Sequence, residues 1–554
     1  MARRSVCLLS ALVCLTLAGT AASAADAPVV VADGHGARHG SLSVPNASAV
    51  SLNLAPGPQP DGGRAVAHRA GGIPVNDPGV LAAAPEARLY ATGVTAAEPT
   101  LGIGDDGTIL VVQAVEGIPT LQAPVLRSRD QGLSWQEVSP RIGPTNRHPI
   151  TLDPYIYLDE DTGRVFTADI DAFVCAFVSF SDNQGDGWTT SQACGVTDHQ
   201  TVFSGKPTSA VPTIGYPKVV YYCAMDGGAL AGFATATSCL RSRDGGLTWT
   251  KTLTPAYRDD PTLPPAILGL PGHCGGGTGH GIADRNGTIY LPRGYCDRPF
   301  VAISRDEGDT WTRVQVADTG MPYDPGGQIQ DHEAGIASDD LGNLYYVWTG
   351  RNRLPYLAIS RNGGTNWSAP VMVGPPGLKE ATLPSIDVET PGKVALSYIG
   401  STNAPGGAAP KGYGDDYPNT VTWNGYITIS TNVLSDDPLF YTGSVNPADD
   451  PLVRGSCPVL RCAQQFDFID VQIAPDGTPW ASMADGCPPG ATSCRDFLGA
   501  GVLGRLVNGP SLLAGPEPVV PEVATPVLLP LLAALGMLGV HLVRRRSHRR
   551  PAPV

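Results

Sequence analysis

Four charged side chains have the chemical types needed to bind or cleave a substrate. Asp331 and Glu333 flank His332 in the string "DHE", and carboxyl groups can act as general acids, general bases or nucleophiles. Arg293 and Arg351 carry guanidinium groups, which hold a carboxylate through a planar fork of hydrogen bonds. We therefore treat Asp331, Glu333, Arg293 and Arg351 as candidate catalytic residues. The alternative is that these opposite charges simply pair with one another.

Other polar and aromatic residues could extend this site, because sugar sites often combine aromatic platforms with carboxylates and arginine. A long insertion, residues 401–425, supplies the three aromatic candidates. The "DHE" string also contains metal-ligand types, but one three-residue cluster is weak evidence, so we predict neither a metal nor a cofactor. The candidate ligand-binding residues are Glu98, Asp153, His280, His332, Tyr413, Tyr417 and Trp423.

An eight-residue string, here called the octet, recurs along the chain and indicates the architecture that must position these residues. Its copies begin at Ser128, Ser181, Ser242, Ser304 and Ser360, and the fourth copy reads "SRDEGDTW". Upstream of most copies lie two short apolar strands joined by a turn of the D-x-x-G type, which is a hairpin signal. Each unit thus predicts four antiparallel strands, which is the blade of a β-propeller.

Two further units lack a good octet, around residues 386–434 and 471–507. We therefore predict an all-β propeller of four-stranded antiparallel blades over residues 91–507, with seven blades and six as the alternative count. A strand near Ala91 could close the ring. The composition agrees with a turn-rich β protein, because the chain has 67 Gly and 52 Pro and only 16% charged residues.

The conserved chemistry of the octet is typical of a structural turn. The third residue of the octet, Asp or Asn, can accept hydrogen bonds from the backbone of its own turn. The fifth residue, Gly, can adopt positive φ. The tryptophan at the end of the octet would pack between blades. This pattern resembles the Asp-box, or BNR repeat, of the sialidase superfamily. The resemblance implies a propeller but no particular activity, because Asp-boxes also occur in other glycosidases and in sorting receptors. The third residues are Asp130, Asn183, Asp244, Asp306 and Asn362.

The resemblance implies that a ligand binds at the rim opposite the octets. A sialidase needs three arginines for the substrate carboxylate, a tyrosine nucleophile activated by glutamate, and an aspartate acid/base. The usual Phe/Tyr-Arg-Ile-Pro motif is replaced here by "GGIPV" at residues 71–75, and no tyrosine–glutamate pair is identifiable by motif. We therefore predict a glycan- or protein-binding module without proven catalysis. The alternative is an exo-acting glycoside hydrolase of the sialidase type.

Both ends of the chain carry signals for export and anchoring. Residues 1–24 combine Arg3 and Arg4 with an apolar run and a small-residue cleavage site, as in a secretory signal peptide. Residues 523–543 form an uncharged stretch long enough for a membrane helix. The basic residues 544–554 follow it and mark the cytoplasmic side. We expect an exported, cell-surface monomer anchored by one C-terminal membrane helix.

The segments that flank the propeller have a different composition. Residues 25–90 predict a flexible, low-complexity lead segment, and residues 508–522 a linker. The C-terminal region resembles bacterial sorting tails, which combine a Pro-Glu-Pro signature, here Pro516–Pro518, with an apolar helix and an arginine cluster. The net charge of −14 at pH 7 argues against nucleic acid as a partner. We therefore expect a glycan or protein ligand outside the cell.

Ten of the 12 cysteines remain after removal of the signal peptide, an even number that predicts disulfides formed in an oxidising compartment. All of them map to the rim opposite the octets, where they would brace the loops. Sequence does not determine their pairing, although Cys223 and Cys239 should face each other across a loop, and Cys175 and Cys194 should lie at the same rim. The candidates are Cys175, Cys194, Cys223, Cys239, Cys274, Cys296, Cys457, Cys462, Cys487 and Cys494.

Overall fold

The computed structural model describes residues 62–513, with gaps, and the backbone of residues 44–45. The signal peptide, the apolar stretch, the basic tail and most of the linker lie outside the described residues, as do Asp331, His332, Glu333 and Tyr413. No helix in the described part is long and apolar enough to cross a membrane. The gaps are residues 114, 118–119, 143–150, 152, 172–174, 197, 227–235, 259–277, 296–297, 321–333, 407–416, 456–467 and 488–498.

The described strands form seven antiparallel sheets of at least four strands each. We number these blades along the chain and give their strands from the innermost outwards. Blade 1 contains Thr100–Ile103, Ile109–Val112, Val125–Ser128 and Gln136–Glu137. Blade 2 contains Pro154–Asp159, Arg164–Asp171, Cys175–Ser181 and Gly187–Cys194. Blade 3 contains Thr201–Gly205, Val219–Asp226, Ala236–Ser242 and Thr250–Lys251.

The remaining blades follow the same plan. Blade 4 contains Ile282–Ala283, Ile289–Tyr295, Arg298–Ser304 and Thr312–Gln315. Blade 5 contains Gly335–Ser338, Leu344–Thr349, Pro355–Ser360 and Val371–Met372. Blade 6 contains Glu380–Asp387, Val394–Ser401, Thr422–Ser430 and Leu439–Ser444. Blade 7 contains Asp470–Ile473, Pro479–Asp485, Gly499–Val507 and Glu86–Ala96.

The innermost strands contact one another in the order of the blades, and that of blade 7 contacts that of blade 1, so the ring is closed. The outermost strand of blade 7, Glu86–Ala96, comes from the start of the chain and pairs with Gly499–Val507. The predicted closing strand near Ala91 is therefore present. Because one sheet contains both ends of the propeller, the ring cannot open without breaking that sheet.

Part of the predicted lead segment is folded onto the propeller, so the boundary at residue 91 is a correction. Gly63–Arg64 pairs with the outermost strand of blade 7, and Val66–Arg69 and Ile73–Pro74 extend blade 6 outwards. A short helix, α1 (Pro78–Ala82), follows Asp77, whose side chain caps its N-terminus. These elements are only two to five residues long, too short for an apolar period to be visible in the sequence.

Five more short strands add to this frame. Their bounds are Val44–Pro45 on the edge of blade 2, Tyr257–Arg258 on blade 3, Val453–Arg454 on blade 6, and the separate hairpin Val115–Gly117 with Thr120–Gln122.

Hydrophobic side chains pack between neighbouring blades. The second strand of a blade has blades on both of its faces, so it is buried throughout, as in Ile289–Tyr295 and Leu344–Thr349. The octet tryptophans lie in these interfaces: Trp135 packs between blades 7 and 1, and Trp249 between blades 2 and 3. Burial of such rings removes much apolar surface from water.

The five octets form one hydrogen-bonded turn. In the copy on blade 4, the Ser304 hydroxyl donates to Asp306 (2.8 Å) and accepts from the Gly308 amide (2.8 Å), while Asp306 accepts from the Thr310 amide (2.9 Å). Equivalent bonds of 2.7–3.0 Å occur in the other four copies. Blade 6 contains the equivalent Ser430–Asn432 bond (3.3 Å) without a recognisable octet. Part of the turn can therefore form where the octet sequence is absent.

The fourth residue of every octet accepts a hydrogen bond from an arginine of the preceding blade. Its φ is positive in all five copies, between 55° and 71°, which turns its carbonyl away from its own hairpin. The donor and acceptor pairs are Arg505 with the Gln131 side chain (2.8 Å), Arg127 with the Gln184 carbonyl (2.8 Å), Arg164 with the Gly245 carbonyl (3.0 Å), Arg241 with the Glu307 carbonyl (3.1 Å) and Arg305 with the Gly363 carbonyl (3.3 Å).

Replacing Asp306 with alanine should lower the free energy of unfolding by about 0.5–2 kcal/mol, by analogy with a lost helix cap. Burial opposes ionisation of Asp306, but hydrogen bonds from Thr310 and Ser304 outweigh it and lower its pKa. The contribution of this carboxylate should therefore be present at neutral pH and be lost as the pH falls below the ordinary aspartate pKa of about 4. Urea denaturation at several pH values measures it.

Asp306→Asn is the matched control, because two natural octets use Asn183 and Asn362 at the same place. We expect this variant to retain most of the stability and to lose the acid dependence of the wild type. Equal stability of the wild type and Asp306→Ala at neutral pH would contradict a structural role for the octet.

Candidate functional site

A depression lies at the mouth of the central channel, on the rim opposite the octets, here called the binding rim. Its empty space is about 260 Å³ when the open solvent at its mouth is counted, and the enclosed part, about 20 Å³, has room for about one water molecule. The segments that lead into the innermost strands of blades 4, 5 and 7, together with a bulge in that of blade 6, form its wall. The lining residues used below are His280, Leu383, Ser385 and Phe468.

His280 is the polar centre of this pocket. Its ring lies between those of Tyr155 and Phe468, at centroid distances of 5.0 Å and 4.9 Å. Its Nδ1 is 3.7 Å from Asp470 Oδ1. Its Nε2 is buried and has no hydrogen-bond partner among the described residues. A buried polar atom without a partner costs free energy, so this atom is a natural place for a ligand or a water molecule to bind.

Asp470, which lies beside His280, is itself held by hydrogen bonds from blades 1 and 6. One of its oxygens accepts from the Leu101 amide of blade 1 (3.2 Å), and the other from the Ser385 hydroxyl of blade 6 (3.3 Å). The negative charge favours a proton on the His280 nitrogen that faces it, which leaves Nε2 as a hydrogen-bond acceptor. Burial, together with the charge of Asp470, raises the pKa of the Tyr155 phenol, so Tyr155 stays neutral beside the imidazole.

The backbone of the binding rim contains several non-glycine residues at positive φ. Leu383 has a φ of 55° in a bulge of the innermost strand of blade 6, and Glu98 and His199 each have a φ of 49°. This conformation costs about 1–3 kcal/mol for a non-glycine residue, and it clusters at functional sites. The Leu383 bulge lies beside Ser385, which lines the pocket.

A second polar cluster joins blades 5 and 6 at the same rim. The Tyr417 hydroxyl donates to Glu380 Oε1 (3.0 Å), and Arg353 contacts Glu380 Oε2 (3.0 Å). The Gly406 amide also donates to Glu380 Oε1 (2.9 Å). Glu380 is only 2% exposed. The structure thus contains a tyrosine–glutamate pair that sequence motifs do not reveal, because Glu380 begins the innermost strand of blade 6 and Tyr417 lies in the long insertion, so that only the fold brings them together.

Two of the three aromatic candidates in the long insertion, Tyr417 and Trp423, pack against each other. Tyr417 stacks on Trp423 with ring centroids 6.5 Å apart. Trp423 is buried, and its indole donates to the Gly455 carbonyl (3.0 Å). Trp423 therefore supports Tyr417 from inside the protein. Tyr413 lies outside the described residues.

The candidate arginines occupy different interfaces. Arg293 is 2% exposed, donates to Thr237 (2.8 Å) and lies over the Tyr257 ring, between blades 3 and 4. Arg351 is exposed, and its amide donates to the Gly320 carbonyl (2.7 Å), between blades 4 and 5. Neither arginine lines the pocket around His280. Asp331, His332 and Glu333, the rest of that predicted patch, lie outside the described residues.

Glu98 and Asp153, two further predicted ligand-binding residues, lie just before the innermost strands of blades 1 and 2. Glu98 is 1% exposed, whereas Asp153 is half-buried and accepts from the Gln200 side chain through its carbonyl (2.6 Å). Among the described residues no group of His, Cys, Asp and Glu could hold a metal ion.

Disulfides brace the binding rim. The two expected pairs are confirmed, because Cys175 is bonded to Cys194 and Cys223 to Cys239. Cys487 is also disulfide-bonded, and its partner lies outside the described residues. The other predicted cysteines, Cys274, Cys296, Cys457, Cys462 and Cys494, fall in the gaps.

Carboxyl groups gather at the octet end of the channel. Glu160 of blade 2 and Glu389 of blade 6 hydrogen-bond to each other, although their blades are three apart in the ring. Burial raises the pKa of Glu389 to about 9, with the charges of Asp387 and Glu160 adding to the effect. Burial and the charge of Glu160 raise the pKa of Asp387 to about 7. Glu389 is therefore protonated at neutral pH and donates to Glu160.

Comparisons with known proteins found structural similarity at low identity. Neither a protein-family model nor a curated protein matches the sequence. Solved structures that resemble it include the NanB sialidase of Streptococcus pneumoniae, at 12% identity and a TM-score of 0.37, over 75% of this chain and 69% of that one. Another is the α-L-arabinofuranosidase Arb93A of Fusarium graminearum, at 14% identity and a TM-score of 0.35, over 61% and 94%.

A third similar structure is a protein of unknown function from Dyadobacter fermentans, at 14% identity and a TM-score of 0.34, over 76% of this chain and 98% of that one. At such identities and TM-scores these likenesses carry no argument about activity.

Glu389→Gln should flatten the pH dependence of stability. A raised carboxyl pKa contributes stability that is complete below the unfolded value of about 4.3 and is lost as the pH rises through the folded value of about 9. Glutamine can donate the same hydrogen bond without a proton to lose. We therefore expect the variant to be more stable than the wild type near pH 9, as measured by urea denaturation between about pH 5 and pH 9.

Glu86→Gln provides the control for the change in net charge, because Glu86 pairs with Arg88 on the outside of blade 7 (2.8 Å). Its pH profile should run parallel to that of the wild type. If the wild type and Glu389→Gln showed the same slope, the carboxyl pair would play no part in the pH dependence.

Proposed function

We propose that this chain is an exported glycan-binding propeller that holds an uncharged sugar residue in the pocket around His280 and does not hydrolyse it. The observation that carries the proposal is His280 Nε2, a buried acceptor that has no protein partner among the described residues and belongs to a residue of the pocket wall. A sugar hydroxyl is a suitable donor for it.

The pocket has room for one hydroxyl group of a pyranose or furanose whose ring lies at its open mouth. Phe468 offers an aromatic surface for sugar C–H groups, and Ser385 adds a hydroxyl. The Asp470 carboxylate lies beside the imidazole on the other side (3.7 Å). An aromatic wall with a few oriented polar groups is the usual composition of a small-ligand site.

An acidic sugar fits this pocket poorly. The described residues that line it include no arginine or lysine, and Asp470 places a negative charge beside His280. Arg353 is already paired with the buried Glu380 (3.0 Å). A ligand carboxylate would thus meet a hydrogen-bond acceptor and a like charge, which disfavours it.

The alternative function, an exo-acting glycoside hydrolase of the sialidase type, is favoured by one observation. Tyr417 lies 3.0 Å from Glu380, the arrangement that a tyrosine nucleophile with a glutamate base requires. Against it, Glu380 is almost fully buried and also binds Arg353 and Gly406. These contacts suit a brace between blades 5 and 6 better than a base that must exchange protons with a substrate.

His280→Phe should reduce affinity for the preferred neutral oligosaccharide at least tenfold, or about 1.4 kcal/mol, because phenylalanine fills the same space without an acceptor. An array of neutral and sialylated oligosaccharides would identify the probe, and calorimetry would measure its affinity. His280→Gln keeps an acceptor and should bind better than His280→Phe. Melting temperatures would show that both variants fold.

Turnover assays separate the two functions. Fluorogenic sialosides and arabinosides should be left intact by the wild type. Hydrolysis that disappears in Tyr417→Phe, whose phenyl ring keeps the stacking on Trp423, would establish the enzyme instead. Equal affinity of the wild type and His280→Phe for every bound oligosaccharide would remove the pocket from consideration.

The proposal also includes attachment to the cell surface through residues 523–543. Deleting residues 523–554 should release soluble protein into the medium, whereas the full chain should sediment with membranes. The two described disulfides support an oxidising compartment. A truncated chain that still sediments with membranes would show that this stretch is not the anchor.

A further inference from the structure

The last described residues of the chain are fixed to the rim that carries the octets, here called the octet rim. The third strand of blade 7, Gly499–Val507, ends at that rim. Beyond it, the Leu512 amide donates to the Gly477 carbonyl (3.0 Å), in the turn between the two innermost strands of blade 7. Lys393, from the corresponding turn of blade 6, donates to the Ser511 carbonyl (3.1 Å). The chain therefore leaves the propeller at the octet end of the channel.

Packing holds this exit point in place. Leu512 is fully buried in the hydrophobic cluster between blades 6 and 7, and Leu513 packs against the same cluster. Gly477 has no room for a side chain, because an added Cβ would collide with Ser511. The folded structure, rather than the segment that follows, thus determines where the chain leaves the ring.

The distance from this exit point to the predicted membrane anchor is short. Only residues 514–522 separate Leu513 from the apolar stretch 523–543, and that many residues span about 30 Å at most. To bring the binding rim to the membrane, they would have to cross a four-stranded blade, about 14 Å wide, and then follow a strand about 26 Å long. Because that path is longer than the segment, the binding rim cannot face the membrane.

Exposed apolar side chains mark the octet rim independently. Of the nine large hydrophobic residues that are exposed in the described part of the chain, five lie in turns of the octet rim and none in the described loops of the binding rim. The other four, on the outer side of the ring, are Val66, Ile73, Leu81 and Leu253. The five on the octet rim are Leu133, Val211, Ile214, Leu247 and Leu341.

Three of these five residues belong to blade 3. In this blade the loop of residues 206–218 takes the place of the D-x-x-G turn and lies against the octet. The Ile214 amide donates to the Arg243 carbonyl (2.8 Å), and the Arg243 guanidinium donates to the Val211 carbonyl (2.8 Å). Ile214 is 71% exposed, Val211 54% and Leu247, in the same octet, 50%. Apolar side chains grouped in this way indicate an interaction surface.

A buried carboxylate keeps this loop rigid. Glu307 of blade 4 is fully buried and accepts hydrogen bonds from the Thr208 and Ser209 amides (2.9 Å each). The same carboxylate pairs with Arg243, which bonds to the loop from the other side. The apolar side chains are therefore held in water by a fixed scaffold and cannot fold back into the core.

We propose that the octet rim of the anchored protein faces its own membrane, with the apolar residues of blade 3 against the lipid, so that the His280 pocket opens away from the bilayer. This inference rests on the proposed attachment through residues 523–543. The D-x-x-G turns of the same rim carry exposed carboxylates, which an anionic bilayer would repel, so the rim fits a zwitterionic surface. These carboxylates belong to Asp105, Asp161, Asp340 and Asp476.

Energy transfer to labelled lipid tests this orientation. The full chain is reconstituted in phosphatidylcholine vesicles that contain a small fraction of rhodamine-labelled lipid. Asn286→Cys places a donor dye on an exposed turn of the octet rim, and Thr402→Cys, the matched control, places it on an exposed loop of the binding rim. Wild type treated in the same way corrects for dye on native cysteines. Because the rims lie about 26 Å apart, transfer from position 286 should be at least about twofold more efficient.

Flotation of the vesicles separates failure of this inference from failure of the proposed attachment. If the protein floats with the vesicles but both positions transfer equally, or position 402 transfers more, the orientation is overturned and the anchor stands. If the protein does not float with the vesicles, the anchor is overturned and the orientation with it.

A second comparison tests the apolar contact of blade 3. Val211→Ser combined with Ile214→Ser should lower the transfer from a dye at position 286, because the rim loses its contact with lipid. Leu253→Ser is the matched control, since this residue is 78% exposed on the outer side of the same blade. Melting temperatures should stay unchanged in both variants, because the substituted side chains are exposed. Equal transfer in the double variant and the control would overturn the contact.

Discussion

The propeller depends on a hydrogen bond between each octet and the blade before it. The fourth octet residue is held at positive φ, and in every copy it accepts from an arginine of the preceding blade, as Gln184 does from Arg127 and Glu307 from Arg241. The octet tryptophan packs into the same interface. One turn therefore organises its own hairpin and also holds the interface with the preceding blade, which gives a physical reason for its recurrence in five of the seven blades.

This arrangement gives the two rims of the ring different physical characters. The octet rim satisfies its backbone groups locally, with Ser, Asp and Gly in a fixed order. The binding rim is built from longer loops braced by disulfides, such as Cys223–Cys239, and, like the octet turns, it contains non-glycine residues at positive φ, such as Leu383 and Glu98. Strain persists only where the surrounding structure is rigid.

Carboxyl groups lie at both ends of the channel that joins the rims. Asp470 lies beside His280 at one end, and Glu389 shares a proton with Glu160 at the other. The charge of Asp470 also contributes to the raised pKa of Asp387, so the two ends are electrostatically connected. A neutral ligand at His280 avoids this field, whereas an anionic one would have to overcome it.

Sequence alone determined the repeating part of this protein. The octets and D-x-x-G turns predicted four-stranded blades, the closing strand near Ala91 and two disulfide pairs, because these features depend on local turn chemistry and strand order. The folded role of residues 62–90 was not visible, since their strands are too short to show a period. Tertiary structure alone decided the site. Arg293 and Arg351 lie in separate interfaces between blades. Glu380 contacts Tyr417, and His280 lies beside Asp470, which belongs to a blade three places away around the ring. Closure of the ring brings such pairs together from distant parts of the chain. Their separation in the sequence follows no fixed spacing, so no motif could predict them.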